Sequence, residues 1–159
     1  MKKPTYNATV YGLLLTVVPV ICLVLMEITG NNLTFDNPTW YDIAIQTVLP
    51  VFILYLGIRA RKKQLGGLIT WKQGTVAGFE ISLIFALISP FVFLAYYYFV
   101  NFKIIASVRN AYHLTRASDM GVIRIDMLLQ FVSALIFGLI VSSIISFFIR
   151  SKTLNPEIK

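Results

Sequence analysis

Four long apolar runs separated by short polar stretches organise this chain: residues 8–28, 43–58, 71–100 and 127–149. A helix rises about 1.5 Å per residue, so roughly 20 apolar residues cross a bilayer's hydrocarbon; the second run is on the short side for that. The pattern predicts an all-α fold: an integral membrane bundle of four transmembrane helices, a single domain over residues 1–159. Thr70-Trp71-Lys72-Gln73 matches a capping box and sets the start of the third helix at Trp71. Gly66 and Gly67 leave the backbone before it free to turn sharply. Residues 101–126 form the one substantial connection outside the membrane. Within it Ile104, Ile105, Val108, Ala111 and Tyr112 recur at helical spacing, opposed by Lys103, Ser107, Arg109, Asn110 and His113. That is the pattern of an amphipathic helix between helices three and four, lying along the outer interface or prolonging helix three.

Composition agrees with the pattern. Of 159 residues 57% are hydrophobic and only 13% charged, and a soluble domain of this size carries roughly twice that share of charge. Lys2 and Lys3 before an apolar run resemble the opening of a signal peptide. The run is too long for one, however, and Leu25-Met26-Glu27 lacks a small-residue cleavage pattern, so it reads as a retained first helix.

Charge decides orientation. The net charge is +7, but the basic residues sit at the ends of apolar runs and form no stripe with interleaved aromatics, which argues against nucleic acid. Arg59, Arg61, Lys62, Lys63 and Lys72 make a basic hinge between helices two and three. Short cationic loops stay in the cytoplasm, which places both termini there as well. Lys2, Lys3, Arg150, Lys152 and Lys159 then join the inner side, against Lys103, Arg109, Arg116 and Arg124 outside. The loop 30–42 carries Asp36 and Asp42 but no Lys or Arg, which suits the outer side. Trp40 and Tyr41 are placed to anchor helix two there, and Tyr96, Tyr97, Tyr98, Phe99 and Phe102 to form the outer aromatic belt of helix three.

Inside lipid, small residues let helices approach closely. Gly74, Gly78, Ser82 and Ala86 recur every fourth residue on helix three and continue to Pro90; Ala134, Gly138, Ser142 and Ser146 do so on helix four. The stripes predict tight contacts, either with each other or with a second copy. Pro19, Pro50 and Pro90 fall near the middle of the first three helices. Each removes a backbone hydrogen bond; transporters line binding sites with such broken helices, but ordinary membrane helices also carry proline, and kinks without function are the expectation.

Reactive groups are few. Glu80 lies about two turns inside helix three, sharing a face with Gln73, Ala77, Ile84 and Leu87. As an intramembrane polar site it would bind a cation or relay a proton; the plainer expectation is an orienting ion pair with Lys72, Arg59 or Arg150. Glu27 reads as interfacial. Cys22, the single cysteine, reads as a small buried hydrophobe, and the lone His113 as a solvated side chain without metal partners. Asn7-Ala8-Thr9 and Asn32-Leu33-Thr34 match the glycosylation acceptor pattern and carry no functional weight. No nucleophile elbow or phosphate loop is present, so no enzyme, cofactor or metal is expected.

Tyr11-Gly12 opening helix one, the run Gly66-Gly67-Leu68-Ile69-Thr70-Trp71-Lys72-Gln73-Gly74, and the Ser-rich helix ending in Arg150 resemble domain of unknown function family 4199 over nearly the whole chain. The resemblance implies a small four-helix protein of the bacterial inner membrane, found mostly in Bacteroidota, and carries over no functional residues. The expected function is a non-enzymatic accessory or structural membrane component, in contact with the lipid bilayer, with anionic lipid headgroups at the basic hinge, and with a second copy or another membrane protein as partner. The alternative is a small oligomeric transporter or channel for protons or cations using Glu80.

Overall fold

A computed structural model describes residues 6–30, 39–101, 103–114 and 118–151. Among them are five helices: α1 (Ala8–Ile28), α2 (Trp40–Gln64), α3 (Trp71–Phe99), α4 (Ile104–Ala111) and α5 (Asp119–Ile149). All but α4 are long and apolar enough to cross a membrane. The acceptor pattern at Asn32, the loop acid Asp36, the belt residue Phe102, Arg116, and the terminal Lys2, Lys3, Lys152 and Lys159 lie outside the described residues.

The helix ends follow from local chemistry. Asn7 caps α1, its side chain accepting from the Thr9 N–H at 2.9 Å, so Asn7 serves the backbone. Thr70 and Gln73 form the expected capping box at α3. The end of α2 differs from expectation. Helix continues through Arg59, Arg61, Lys62 and Lys63 to Gln64, so four of the five basic residues occupy its last turns and the hinge proper is 65–70. The reason lies in the glycines: Gly66 and Gly67 take left-handed φ values of 77° and 88°, and their N–H groups reach back to Lys63 and Lys62. That closes a Schellman cap, and cations in the preceding turn suit the negative end of the helix dipole.

Two boundaries shift elsewhere. α2 begins at Trp40, with a wide π turn at Ala44–Val48 in which the Leu49 N–H bonds to the Ala44 carbonyl. Pro50 accounts for it: the ring cannot donate to the Gln46 carbonyl and crowds the preceding turn. α5 begins at Asp119, eight residues before the expected start, because Ser118 accepts from the Gly121 N–H and caps it there. Arg124 and Asp126, expected in the outer connection, are thereby helical. The polar segment stays helical because α4 gives it a partner.

α4 is a separate short helix packed onto the bundle. Ile104, Ile105 and Val108 are buried with Leu23, Tyr96, Tyr97, Val122 and Ile123. Arg109 of α4 pairs with Asp119 at the start of α5. His113 sits at φ 54° where the N–H groups of His113 and Leu114 cap α4, a position usually given to glycine. The aromatic belt is correspondingly halved: Tyr98 and Phe99 are exposed, whereas Tyr96 and Tyr97 turn inward.

α3 is the central helix and packs against α1, α2 and, most extensively, α5. The two small-residue stripes meet each other. Gly74 faces Ser146, Gly78 faces Ser142, and Ser82 faces Gly138, so each step of four along α3 is matched by a step of four back along α5. Ala86 and Ala134, both buried, occupy the next position of this register. α1 runs parallel to α3, Gly12 lying against Ile81 and Ile84.

Candidate functional site

Following the α3–α5 seam beyond Ala134 leads to a polar cluster. Asp126 on α5 is 1% exposed, and its Oδ2 accepts from the Tyr97 hydroxyl at 2.7 Å and from the Gln130 amide at 2.6 Å. The Gln130 amide also lies 3.0 Å from the Tyr97 oxygen, closing a three-membered set. No basic side chain pairs with Asp126 among the described residues. A carboxylate taken out of water is costly, and two neutral donors offset part of that cost.

Asp126 and Gln130 stand on one wall of a cavity of about 380 Å³ to which all four spanning helices contribute. α1 gives Leu15, Pro19 and Leu23, so the cavity extends along about 12 Å of that helix. α2 gives Gln46, Thr47 and Pro50, and α3 gives Phe85, Ser89 and Phe93. Two of the three mid-helix prolines therefore lie on its wall, and Pro90 follows Ser89. Pro19 and Pro50 have no N–H, which withdraws the usual donors from the carbonyls of Leu15 and Gln46, both lining residues. The Ser89 hydroxyl is buried without a hydrogen-bond partner, and so is the Gln130 carbonyl oxygen. Tyr112, at the end of α4, lines the end of the cavity nearest that helix. Burial, and secondarily the Asp126 charge, push its phenol above the usual range.

Glu80 is not in this cavity. It is exposed on α3 at the level where α1 begins, in a separate recess of about 200 Å³ shared with Arg61, Lys72 and Gln73. The Tyr6 hydroxyl lies 2.8 Å from the Ala77 carbonyl and 3.2 Å from Glu80. Burial first, then the Glu80 charge, raise the Tyr6 phenol above its ordinary range. Among the described residues Glu80 makes no ion pair within the usual 4.0 Å; Arg61 lies over the Tyr6 ring and Arg150 over Phe147. Glu80 thus stands on the exposed face of α3 and not between the helices.

The remaining basic residues divide. Lys62 donates to the Ile149 carbonyl at 2.7 Å and caps α5, and Arg61 also donates to Gln64. Arg59, Lys63 and Lys72 are exposed. At the opposite end Glu27 accepts from Asn101 at 2.9 Å, and Asp42, fully buried, accepts from Thr39. Cys22 is half-buried, and no group of three or more metal-ligating side chains occurs among the described residues.

Sequence reasoning missed Asp126 and Gln130, yet a signal was present. The stripe Ser146, Ser142, Gly138, Ala134, continued by the same step of four, reaches Gln130 and then Asp126. Both polar residues share the buried face.

Fold and seam together define a multi-pass membrane protein with a largely apolar cavity between its spanning helices, into whose wall Asp126 and Gln130 are set. The chain belongs to the family described as protein of unknown function DUF4199, whose model matches residues 10–151. No curated protein and no solved structure matches it.

Proposed function

We propose that this chain is a non-enzymatic membrane protein that takes a small polar solute into the cavity beside Asp126. The observation that supports this reading is a buried carboxylate without a basic partner, on the wall of a cavity of about 380 Å³. Ionisable residues within spanning helices are costly and mark solute or ion paths. The volume falls in the range of small-molecule sites, roughly 300–1,000 Å³. The lining favours binding over covalent chemistry: Ser89 has no partner, and Ser133 bonds back to the backbone carbonyl of Gln130 instead of to a base.

In this reading the basic end lies in the cytoplasm of a bacterial cell, with Arg59 and Lys63 free for anionic headgroups at about 1 kcal/mol each. The small-residue stripes support no second copy, because α3 and α5 use them on each other. The reading is tested by thermal stabilisation of the protein in nanodiscs against a panel of small polar solutes. At least one solute should raise the melting temperature of the parent but not of Asp126→Asn. If no solute does so, and in-membrane crosslinking recovers a different protein in stoichiometric amount, the chain is an accessory component of that partner.

A further inference from the structure

Two buried side-chain atoms of the cavity lining lack a partner, the Ser89 hydroxyl and the Gln130 side-chain oxygen, and both can accept a hydrogen bond. The Gln130 amide nitrogen is spent on Asp126 and Tyr97, which leaves its side-chain oxygen buried without a partner. Tyr97 spends its only proton on Asp126. The carbonyls of Leu15 and Gln46 have lost their usual donors to Pro19 and Pro50. Ser89, with no partner, accepts as readily as it donates. No Lys or Arg lines the space. Gln46, Thr47, Tyr112 and Ser133 add groups that donate as well as accept. Asp126 is the one charged side chain of the lining and has no cation beside it among the described residues, so the complement it calls for is a cation bearing hydrogen-bond donors.

Size and the opposite wall decide which cation. A water occupies about 30 Å³ of liquid volume, so a space of 380 Å³ is far too wide for one bare inorganic ion to be held by fixed ligands. Divalent ions also want several carboxylates, and only one is present. Phe85, Phe93, Phe137 and Tyr112 supply an apolar, π-rich remainder. An ammonium attached to an apolar body fits both halves, its charge on Asp126 and its body against the rings.

Resting on the solute-binding reading above, we propose that the cavity is a site for small organic amines in their ammonium form, held by Asp126 and Ser89 with the apolar part among Phe85, Phe93 and Phe137. A primary ammonium brings three donors and the positive charge that Asp126 lacks among the described residues. A neutral isostere carries one donor and leaves the carboxylate unpaired.

The test is equilibrium dialysis of the full chain in nanodiscs, with empty nanodiscs as the partition control. The probes are phenethylammonium, its neutral isostere 2-phenylethanol, and sodium and potassium chloride. Phenethylammonium should bind saturably above the control and the other probes should not. Asp126→Asn should weaken it by about tenfold or more, and Ser89→Ala, which removes a single unpartnered hydroxyl, by about threefold. Ser89→Ala decides the matter if Asp126→Asn fails to fold. Equal binding of 2-phenylethanol would overturn the ammonium assignment and leave the solute-binding reading standing. Saturable binding of neither probe would also overturn it, and failure of the wider panel as well would remove the solute-binding reading. Displacement of phenethylammonium by sodium or potassium ions at equal concentration would reassign the site to inorganic ions.

Discussion

Gly78 of α3 lies so close to Ser142 of α5 that a side-chain carbon added at Gly78 would overlap the serine Cβ and hydroxyl. Apolar burial cannot drive helices together within lipid, so this close approach is what holds the seam. Gly78→Leu should therefore force α3 and α5 apart and destabilise the fold by about 3 kcal/mol or more. Ser142→Ala should be neutral or mildly stabilising, since its buried hydroxyl has no partner. Unfolding titrations in mixed detergent micelles check both. A tolerant Gly78→Leu would show that the seam is not tight.

Tyr97 and Gln130 meet the same oxygen of Asp126. Tyr97→Phe leaves that buried oxygen with one donor and should cost about 1–3 kcal/mol. Replacing Tyr97 and Asp126 together with Phe and Leu removes both partners and should cost less than the sum of the single changes. A double-mutant cycle measures this coupling, and strict additivity would mean the hydroxyl and carboxylate do not interact.

Lys62 and Lys63 are adjacent in sequence but differ in role. Lys62 donates to the last carbonyl of α5 across the bundle, whereas Lys63 is exposed. Lys62→Met should destabilise by about 1 kcal/mol, and Lys63→Met should leave stability unchanged while weakening any headgroup contact. Equal effects on stability would remove the capping role of Lys62.

Much of this architecture was legible because membrane helices announce themselves by length and apolarity. The Thr70–Gln73 capping box fixed the start of α3 to the residue, and steps of four exposed the α3–α5 seam. Three features escaped for physical reasons. The cations at Arg59 to Lys63 read as a loop, but a helix end tolerates them because they oppose its dipole. The polar residues before Met127 read as a connection, yet Ser118 caps a helix there and α4 covers it. Tyr97 read as an interfacial aromatic because periodicity alone does not say that a neighbouring helix supplies a carboxylate for its hydroxyl. Prominence in the sequence drew attention to Glu80; only tertiary packing separates an exposed acid from a buried one.

Tyr6 gives a pH dependence with a definite sign. Its phenol is raised from the ordinary value of 10.0 by burial and then by the Glu80 charge, so the folded chain keeps a proton that the unfolded chain loses. Stability is complete below about pH 10 and falls as pH rises through that value. Phenolate absorbance should show tyrosines titrating late. With Tyr112 still titrating late, Tyr6→Phe should lower that late component by one residue and reduce the stability loss. Glu80→Gln should shift it only part of the way back, because burial is the larger cause.

Orientation supplies the last prediction. The described basic end gathers Arg59, Arg61, Lys62, Lys63, Lys72 and Arg150, while the opposite end exposes Trp40, Phe99 and Met120. Cationic segments resist translocation, so the first end should remain in the cytoplasm. With Cys22 replaced by Ser, a cysteine at Met120 should react with a membrane-impermeant maleimide on intact spheroplasts. A cysteine at Lys63 should react only after lysis. The reverse labelling would invert the topology, placing the Asp126 end of the cavity towards the cytoplasm and any amine it takes on the inner side; labelling of both sites in intact spheroplasts would contradict an odd number of crossings between residues 63 and 120.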